Sequence, residues 1–524
     1  MPIHLLSLAP PLLLLVAAAI GFAQPGRIGR RALAFIEVLA LLPIGCVLGA
    51  AALLITADPN TAGPNTVSLP AGFALQFDVV SAVMMTLVSF IGWIVVRYAA
   101  VYLDGEARQG TFMAWLCTTL AMVLLLVSAG SLTQLVAAWI ATSLALHRLL
   151  LFYPERVAAQ RAARKKFVTA RAGDAALIGA SVLLFLAYGT TDISAILGAA
   201  RAGAGGSMAV IATGLLAIAA LLKSAQFPLH GWLTEVMEAP TPVSALLHAG
   251  VINAGGFLLI RFADVMLLSP AVLAMLVIVG GFTALFGGLV MLTQPAIKTS
   301  LAWSTVGQMG FMIMQCGLAL FPLALLHIAL HSLYKAHAFL ASGSAVETIA
   351  AARRPGPVAV PRPGAVARAF IAALGMFAIM SIASDAVFGS GHKSPQAAAL
   401  GAILIFGVAY LLAQGLADRA PRALTQRMGV YALAASVGYF ALHAFALWLT
   451  AGTLPATPAP DALEWTLMVL AVLSFGLVAV GQSMFPLWAY HPAAAGLRVH
   501  LSNGLYANAM FDRLLGGWAL RKSA

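Results

Sequence analysis

The feature that most constrains this chain is a repeated pattern of long, nearly uncharged apolar runs. About 20 consecutive apolar residues let a helix cross the hydrocarbon core of a bilayer, and about fifteen runs of that length occur. They cover residues 3–23, 32–55, 77–101, 111–129, 131–151, 172–190, 207–227, 242–262, 270–292, 299–320, 322–344, 366–388, 397–416, 429–450 and 464–486. Because lipid offers no partners to backbone polar groups, runs this long must be helices. We therefore expect an all-α polytopic membrane protein.

The overall composition supports a membrane protein and excludes several other classes. Of 524 residues, 62% are apolar and only 9% are charged, whereas a soluble domain carries about 25% charged residues. A soluble enzyme, a nucleic-acid-binding module and a disordered scaffold are excluded on this ground. The net charge of +12 fits basic loops that face anionic lipid headgroups better than it fits a nucleic-acid surface. Cys46, Cys117 and Cys316 lie inside apolar runs without any CxxC spacing, so we expect them to pack as small apolar side chains.

The distribution of basic residues predicts the orientation in the membrane. Lys and Arg collect in the connections after odd-numbered runs, for example at Arg27, Arg156 and Arg419. By the positive-inside rule, the N-terminus is expected outside and the C-terminus on the cytoplasmic side. The membrane is expected to be a bacterial inner membrane. The first run has almost no positive residues before it, so we interpret it as a spanning helix and not as a cleaved signal.

Two segments depart from the helical pattern. Residues 352–364 form a Pro- and Arg-rich linker, and residues 487–524 form a tail that mixes aromatic with basic side chains. This composition is typical of an interfacial helix or a docking surface. Anchoring to the lipid surface without any protein partner is the alternative for the tail.

Four places with ionisable residues inside the apolar runs are candidate sites, and Lys223 is the first of them. It lies in LLAIAALLKSAQFPLHGWL, five residues before Pro228. A proline inside a helix frees a carbonyl and bends the helix, and transporters use such interrupted helices to line hydrated cavities. Desolvation disfavours the charged form of a buried lysine, so Lys223 is a candidate for proton exchange. A lysine that extends to the cytoplasmic face is the alternative.

His327, His331 and Lys335 form the second group, and His337 lies nearby. A spacing of four residues places the first three on one helix face over about 12 Å. This arrangement is typical of a proton relay. Two His at this spacing also suit zinc, but no HExxH glutamate is present and a lysine follows on the same face. Histidines that only bond to neighbouring helices are the remaining alternative.

Four further ionisable residues are weaker candidates. His248 lies about a turn and a half inside the eighth run, where a packed core histidine explains it equally well. Asp385 lies in the twelfth run, either inside the membrane or at the helix end. Glu235 and Glu238 follow Pro228 closely enough to pair with Lys223 or with a neighbouring helix. No phosphate loop, nucleophile triad, carboxylate pair or haem ligand set is visible, so we expect no catalytic residues, cofactor or metal in this chain.

Three long strings resemble the proton-translocating antiporter-like subunits of respiratory complex I (subunit L) and of Mrp-type antiporters. They are KSAQFPLHGWLTEVMEAPTPVSALLHAGVINAGGFLLI (223–260), IKTSLAWSTVGQMGF (297–311) and LHIALHSLYKAHAFLASGS (326–344). The resemblance implies two inverted five-helix repeats with interrupted helices seven and twelve. It also implies that Lys223 is the central lysine of the first repeat, that His248 links the half-channels, and that His327, His331 and Lys335 form the axial relay of the second.

The same resemblance implies five regions in the chain. Residues 1–110 hold helices one to three, 111–262 the first repeat, 263–416 the second repeat, 417–486 helices fourteen and fifteen, and 487–524 the tail. The chain departs from the family at two sites. Ile140 follows Trp139 where the family has a glutamate, and the twelfth helix lacks the family's lysine, with Asp385 as the nearest ionisable residue. The long lateral helix of complex I subunits is also absent.

A narrower resemblance covers SLALHRLLLFYPERVAAQRAARKKF, HAGVINAGGFLLIRF and HLSNGLYANAMFDR. These strings are similar to the DabB family, the membrane subunits of two-component inorganic-carbon (CO2/bicarbonate) accumulation systems. That resemblance implies a large, soluble, zinc-containing DabA-like partner on the cytoplasmic side. It further implies that the membrane subunit conducts H+ or Na+ to drive a carbonic-anhydrase-like reaction in the partner. An antiporter subunit of complex I or Mrp type, and a non-conducting membrane anchor for a soluble enzyme, are the competing hypotheses.

Overall fold

The structure is a computed structural model of an all-helical membrane protein. It describes residues 2–56, 66–343, 362–388, 394–415, 422–488 and 491–514. The predicted 352–364 linker lies almost entirely outside these described residues.

The N-terminal part contains eight helices and a short hairpin. The helices are α1 (Pro2–Ala23), α2 (Arg30–Thr56), α3 (Val79–Tyr102), α4 (Gln109–Val127), α5 (Leu132–Leu150), α6 (Val157–Tyr188), α7 (Ile193–Arg201) and α8 (Gly206–Lys223). Strands β1 (Thr66–Ser68) and β2 (Ala74–Gln76) pair antiparallel, with Val67 opposite Leu75.

The remaining helices follow a break after Lys223. The central ones are α9 (Gly231–Glu235), α10 (Thr241–Ala249), α11 (Ala254–Arg261), α12 (Ala263–Met266), α13 (Pro270–Met291), α14 (Ile297–Gly317) and α15 (Phe321–Leu340). The C-terminal ones are α16 (Pro363–Phe388), α17 (Pro395–Gly415), α18 (Arg422–Thr450), α19 (Ala462–Trp488), α20 (Pro492–Ser502) and α21 (Ala507–Leu514). The largest buried apolar cluster is built from helices α1 to α15. A smaller cluster packs α17 and α19 against α13, α14 and α15, and another packs α16, α17 and α18 together.

All fifteen predicted runs fall on helices, and twelve helices in the described residues are long and apolar enough to span a membrane. The three runs outside that set are α5, α14 and α17. Polar residues explain the first two, since α5 carries Gln134 and Arg148 and α14 carries Lys298 and Gln315. In α17 the apolar stretch is short, Pro395–Tyr410.

The predicted interruption after Lys223 is present. Helix α8 ends at Lys223, and the chain turns through residues 224–230 before α9 begins at Gly231. The second predicted interruption, in the twelfth run, is wrong, because α16 continues from Pro363 to Phe388. Its one proline stands at the first helical position, where the missing N–H costs nothing.

A break that the sequence patterns did not predict lies in the eighth run. Helix α10 ends at Ala249, Gly250 leaves the helical region with φ −120° and ψ −78°, and a 3-10 turn covers Val251–Asn253. Helix α11 resumes at Ala254.

Helix α6 also begins earlier than the predicted run 172–190. It starts at Val157, so Lys165 and Lys166 belong to a helix and are buried. Their charges suggested a cytoplasmic loop, but each ammonium group has polar partners inside the bundle. Pairing of this kind permits a lysine to be buried.

Helices α13 and α14 pack along a line of glycines. A methyl group added at Gly310 would lie 2.5 Å from Ala284 N and 2.7 Å from Gly280 O, and one at Gly287 would lie 2.6 Å from Gly307 N. Small residues at such positions let two backbones approach closely, which is a common way to join helices in membranes.

The tail folds back onto one end of the bundle. Helices α20 and α21 are joined by Gly504–Tyr506, where all three residues have positive φ. Asp512 contacts Arg161 at 2.8 Å and Lys165 at 2.6 Å, and Gln294 Nε2 donates a hydrogen bond to Ser502 O at 3.3 Å. We call the end of the bundle that these helices cover the tail end.

The glycine line gives a first prediction. Gly310→Ala should destabilise the protein by about 1–3 kcal/mol, because an added methyl group forces two closely packed backbones apart. Gly288→Ala is the matched control, since a methyl group there meets nothing within 4 Å. Thermal unfolding of the detergent-solubilised protein measures both, and equal melting temperatures for the two variants would contradict this packing.

The pH dependence of tail docking gives a second prediction. Burial raises the pKa of Asp512, but hydrogen bonds and charge from Lys165 and Arg161 outweigh it and hold the pKa below the ordinary 3.8. A carboxyl group with a lowered pKa stabilises the folded state fully above its unfolded pKa, and that stability is lost as pH falls through the folded value.

Hydrogen–deuterium exchange of α21, corrected for intrinsic rates, should therefore stay slow from pH 7 to about pH 4 and rise only below it. In Asp512→Asn the acid-dependent step should be missing. A step near pH 6 in the unsubstituted protein would instead point to a histidine.

Candidate functional site

Lys223 is buried at the end of α8, against an aromatic ring. Its Nζ lies 4.4 Å from the centroid of the Trp139 ring, a cation–π arrangement that is strongest where water is excluded. A cavity of about 20 Å³ adjoins it, lined among others by Trp139, Lys166, Lys223, Trp232 and Val251. A cavity needs about 10–15 Å³ of such volume to hold one water molecule. The surroundings of Lys223 are thus dry apart from room for about one small polar molecule.

Asp174 supplies a buried carboxylate near Lys223. It lies on α6, is buried, and contacts Arg171 Nη2 at 2.6 Å. Its negative charge acts on Lys223. Sequence reasoning missed Asp174 because it lies in a different helix from Trp139. The available signal was an aspartate near the start of an otherwise apolar run.

Lys166 is a second buried cation beside Lys223. Its Nζ donates hydrogen bonds to Ser143 O at 2.7 Å and to Ser143 Oγ at 2.9 Å. Lys166 also lines the same cavity as Lys223. Two lysines and one aspartate therefore share this part of the interior, where the like charges of the two lysines disfavour each other.

The second group follows one face of α15. The rings of His327 and His331 have centroids 5.9 Å apart, and Lys335 Nζ donates to Leu301 O at 3.0 Å. His327 Nδ1 lies 2.8 Å from Gln315 Oε1. Lys335 is fully buried, at 0% exposure. His331 and Lys335 are buried and His327 is half-buried, so the three ionisable side chains form a row along one face of α15.

His248 joins this row from α10. Its Nδ1 lies 3.0 Å from Thr305 Oγ1, and its ring stacks on Phe339 with centroids 4.4 Å apart. His331 interacts with the backbone of His248. Within the described part of the chain, Nε2 of both histidines has no hydrogen-bond partner. Buried ring nitrogens of this kind are the natural positions to accept a proton.

The turn Val251–Asn253 touches both groups. Val251 lines the Lys223 cavity, and Ser224 Oγ, next to Lys223, donates to Ile252 O at 3.4 Å. Asn253 Nδ2 donates to Ser332 Oγ at 2.8 Å, one residue after His331. A second cavity of about 20 Å³ is lined by Gly250, Val251, Asn253 and Ser332, among others. The unpredicted break in the eighth run therefore lies between the two groups.

The other candidate residues lie apart from these groups. Glu235 contacts Lys165 Nζ at 2.7 Å, and Glu238 contacts Arg156 Nη1 at 3.5 Å. Of the two predicted partners for these glutamates, the structure has the neighbouring helix α6 and not Lys223. His337 is exposed on α15, on a different face from Lys335, and Asp385 is half-buried on α16.

A polar cleft lies at the end of the bundle opposite to the tail end. Its volume is about 240 Å³. Two ion pairs line it: Arg261 with Asp78, and Arg201 with Asp264 through two contacts of 3.0 Å. Arg261 also donates to Ser81 Oγ at 2.8 Å. The sequence analysis did not single out Arg261, because its partner Asp78 lies far away in the chain.

A metal site was judged improbable from the sequence. Across the described ranges, no group of three or more His, Cys, Asp or Glu side chains is arranged to hold a metal ion.

Two family models match the chain. The model described as NADH:quinone oxidoreductase/Mrp antiporter, TM, matches residues 129–355, and that described as NADH-ubiquinone oxidoreductase (complex I), chain 5 N-terminus, matches residues 65–113. The first match contains both groups of ionisable residues.

Full-length relatives give a narrower result. The chain is 38% identical over 525 residues to the probable inorganic carbon transporter subunit DabB2 of Halothiobacillus neapolitanus, covering 97% of this chain and 93% of the relative. It is 48% identical over 270 residues to the probable inorganic carbon transporter subunit DabB of Hydrogenovibrio crunogenus, covering 51% and 52%. Among solved structures, the Mrp complex from Dietzia sp. DQ12-45-1b matches with a TM-score of 0.62 at 24% identity, covering 97% of this chain and 59% of that one, and so supports the fold. The chain belongs to the DabB family of inorganic carbon transporter subunits, within the proteins related to complex I subunit L and Mrp antiporters.

Proposed function

We propose that this chain is the membrane subunit of an energy-coupled inorganic-carbon accumulation complex. It conducts H+ or Na+ through Lys223, His248, His327, His331 and Lys335. The energy of the ion gradient reaches a large, soluble, zinc-bearing DabA-like partner, which hydrates CO2 to bicarbonate. The chemistry belongs to the partner, and this chain acts as a transporter subunit without an enzymatic site or a cofactor of its own.

One observation carries the conduction part of this proposal. The Val251–Asn253 turn contacts the neighbourhood of Lys223 on one side and Ser332, next to His331, on the other. Buried ionisable residues in a membrane bundle are costly, so their concentration along one line favours a functional path. A proton or ion that binds near Lys223 changes the electrostatic field at the Val251–Asn253 turn. The turn is hydrogen-bonded to Ser332, next to His331.

The proposed steps use only side chains of this chain. Lys223 holds a proton near Asp174 and, when the surrounding helices move, gives it to the neutral amine of Lys166, which lines the same cavity. Once protonated, His248 passes its proton to a neutral His331 ring or to the neutral amine of Lys335, because α10 packs directly against α15. Coupling requires that ion occupancy favour one of two conformations of the broken helices. The breaks after Lys223 and at Gly250 supply the adjustable segments.

The proposed topology follows from the basic loops. With about fifteen crossings of the inner membrane, the N-terminus lies outside and the tail lies on the cytoplasmic side. Residues 111–262 and 263–416 then form the two inverted repeats of the superfamily. The tail from residue 487 onward, together with the linker 352–364, is the proposed docking region for the soluble partner.

The first experiment measures accumulation of labelled inorganic carbon in a host that lacks carbonic anhydrase. The chain is expressed alone and together with the candidate soluble partner, with and without a protonophore. We expect uptake that needs both proteins and collapses with the gradient. No uptake in any combination, although the partner is bound, would contradict the proposal and favour cation exchange of the Mrp type. Uptake that persists with protonophore and without the lysines would favour a non-conducting anchor.

Substitutions of the buried lysines test the path. Lys223→Ala and Lys335→Ala should each reduce uptake to the level of the empty vector while the partner still co-purifies, because each removes a group that carries the charge. Asp174→Asn should also reduce uptake strongly, since Lys223 loses its nearby carboxylate. Full uptake in any one variant would remove that residue from the path.

Two histidines of α15 provide a matched pair. His331→Ala should abolish uptake, because it interrupts the row between His327 and Lys335. His337→Ala should leave uptake unchanged, because His337 is exposed on another face of the same helix. Equal effects of the two substitutions would mean that the row on α15 does not carry the ion.

A further inference from the structure

One lysine of the bundle, Lys165, binds the tail with an ammonium group whose three N–H donors all have acceptors. Lys165 Nζ lies 2.7 Å from Glu235 Oε1, 2.8 Å from Asn508 Oδ1 and 2.6 Å from Asp512 Oδ1. An ammonium group has three hydrogen-bond donors, so each of these oxygens takes one. The Lys165 side chain is 3% exposed. We call Lys165, Glu235, Asn508 and Asp512, together with Arg161, the tail latch.

The tail latch joins three separate elements of the fold. Lys165 and Arg161 lie on α6, Glu235 ends α9, and Asn508 and Asp512 lie on α21. Asn508 Nδ2 donates a hydrogen bond to Glu235, and Arg161 Nη2 contacts Asp512 Oδ2 at 2.8 Å. The four charged side chains balance, with two of each sign. Removing one tail carboxylate therefore leaves excess positive charge around a buried lysine, which is costly.

The same elements form two walls of the Lys223 cavity. Lys166, next to Lys165 in the chain, lines the cavity from α6, and Trp232, about one turn before Glu235, lines it from α9. The tail latch thus clamps α9 to α6 immediately beyond the cavity. Separation of α9 from α6 at the latch would move Trp232 away from Lys166 and open the cavity to water.

Close packing at Gly231 adds a contact that does not depend on charge. A methyl group added at Gly231 would lie 1.8 Å from Asn508 Oδ1. An alanine at this first residue of α9 would displace the Asn508 amide from its place beside Lys165.

We propose that Asn508 and Asp512 are positioning residues that keep the Lys223 cavity closed while the tail is docked, so that undocking of the tail opens this cavity. The inference rests on the proposed function only in that it treats Lys223 as part of the ion path. According to this inference, the C-terminal segment controls access of water to the cavity beside Lys223. A protein that engages the tail then acts on the path without touching Lys223.

The test measures access to the cavity directly. Leu146 lines the cavity and is fully buried, so Leu146→Cys is introduced into a chain whose Cys46, Cys117 and Cys316 are replaced by alanine. A water-soluble maleimide then labels the full-length protein in proteoliposomes. Asp512→Asn and Gly231→Ala should each raise the labelling rate by about tenfold, the factor expected when a hydrogen bond to a charged group is lost.

Two control variants separate the latch from general damage. Gly214→Ala on α8 should label like the parent, since a methyl group there meets nothing within 4 Å. Asp512→Glu keeps the charge and should also label slowly. Unchanged labelling in both Asp512→Asn and Gly231→Ala, or equal increases in Gly214→Ala, would overturn the proposal.

Proton flux in the same proteoliposomes, followed with an internal pH dye, distinguishes this inference from the proposed function. Faster labelling with faster flux in Asp512→Asn supports both. Faster labelling without flux in any variant, the parent included, supports the latch and contradicts conduction by this chain.

Discussion

The cost of placing charge inside an apolar helix bundle organises this protein. Only 9% of the residues are charged, yet several of them are buried, and nearly all of these have a partner of opposite sign or a fixed dipole. Arg261 forms an ion pair with Asp78, and Lys165 forms ion pairs with Glu235 and Asp512. Lys335 donates a hydrogen bond to a backbone carbonyl. Lys223 differs, because its close contact is an aromatic ring and its carboxylate acts through space. Within the described part of the chain, Lys223 is thus a buried cation without a hydrogen-bonded carboxylate, and it lies beside a helix break.

Helix positions could be predicted from the sequence because apolar length alone decides them in lipid. The row His327, His331 and Lys335 could be predicted too, since helical periodicity fixes which residues share a face. The break after Lys223 followed from Pro228. In each of these cases, the determining residues are close together in the chain.

Contacts between distant segments could not be predicted in the same way. Asp174 lies near Lys223 although it belongs to a different helix, and Lys165 is buried because α9 and the tail bring three oxygens to it. The helix break at Gly250 has no proline that would predict it. The break expected in α16 is not there, since only the family resemblance, and no residue of that segment, had suggested it. Buried basic residues were read as loop charges, since the sequence alone does not reveal their partners.

The glycine line between α13 and α14 has a mechanical consequence. With backbones this close and no side chains between them, the two helices have no room to slide or rotate against each other. They form a stiff panel, and the rings of Phe286 and Trp303 on it pack against Phe227 and His230 in the turn after Lys223. In the ion-transfer cycle proposed above, this panel would not absorb strain. It would serve as the fixed support against which the helix broken after Lys223 bends.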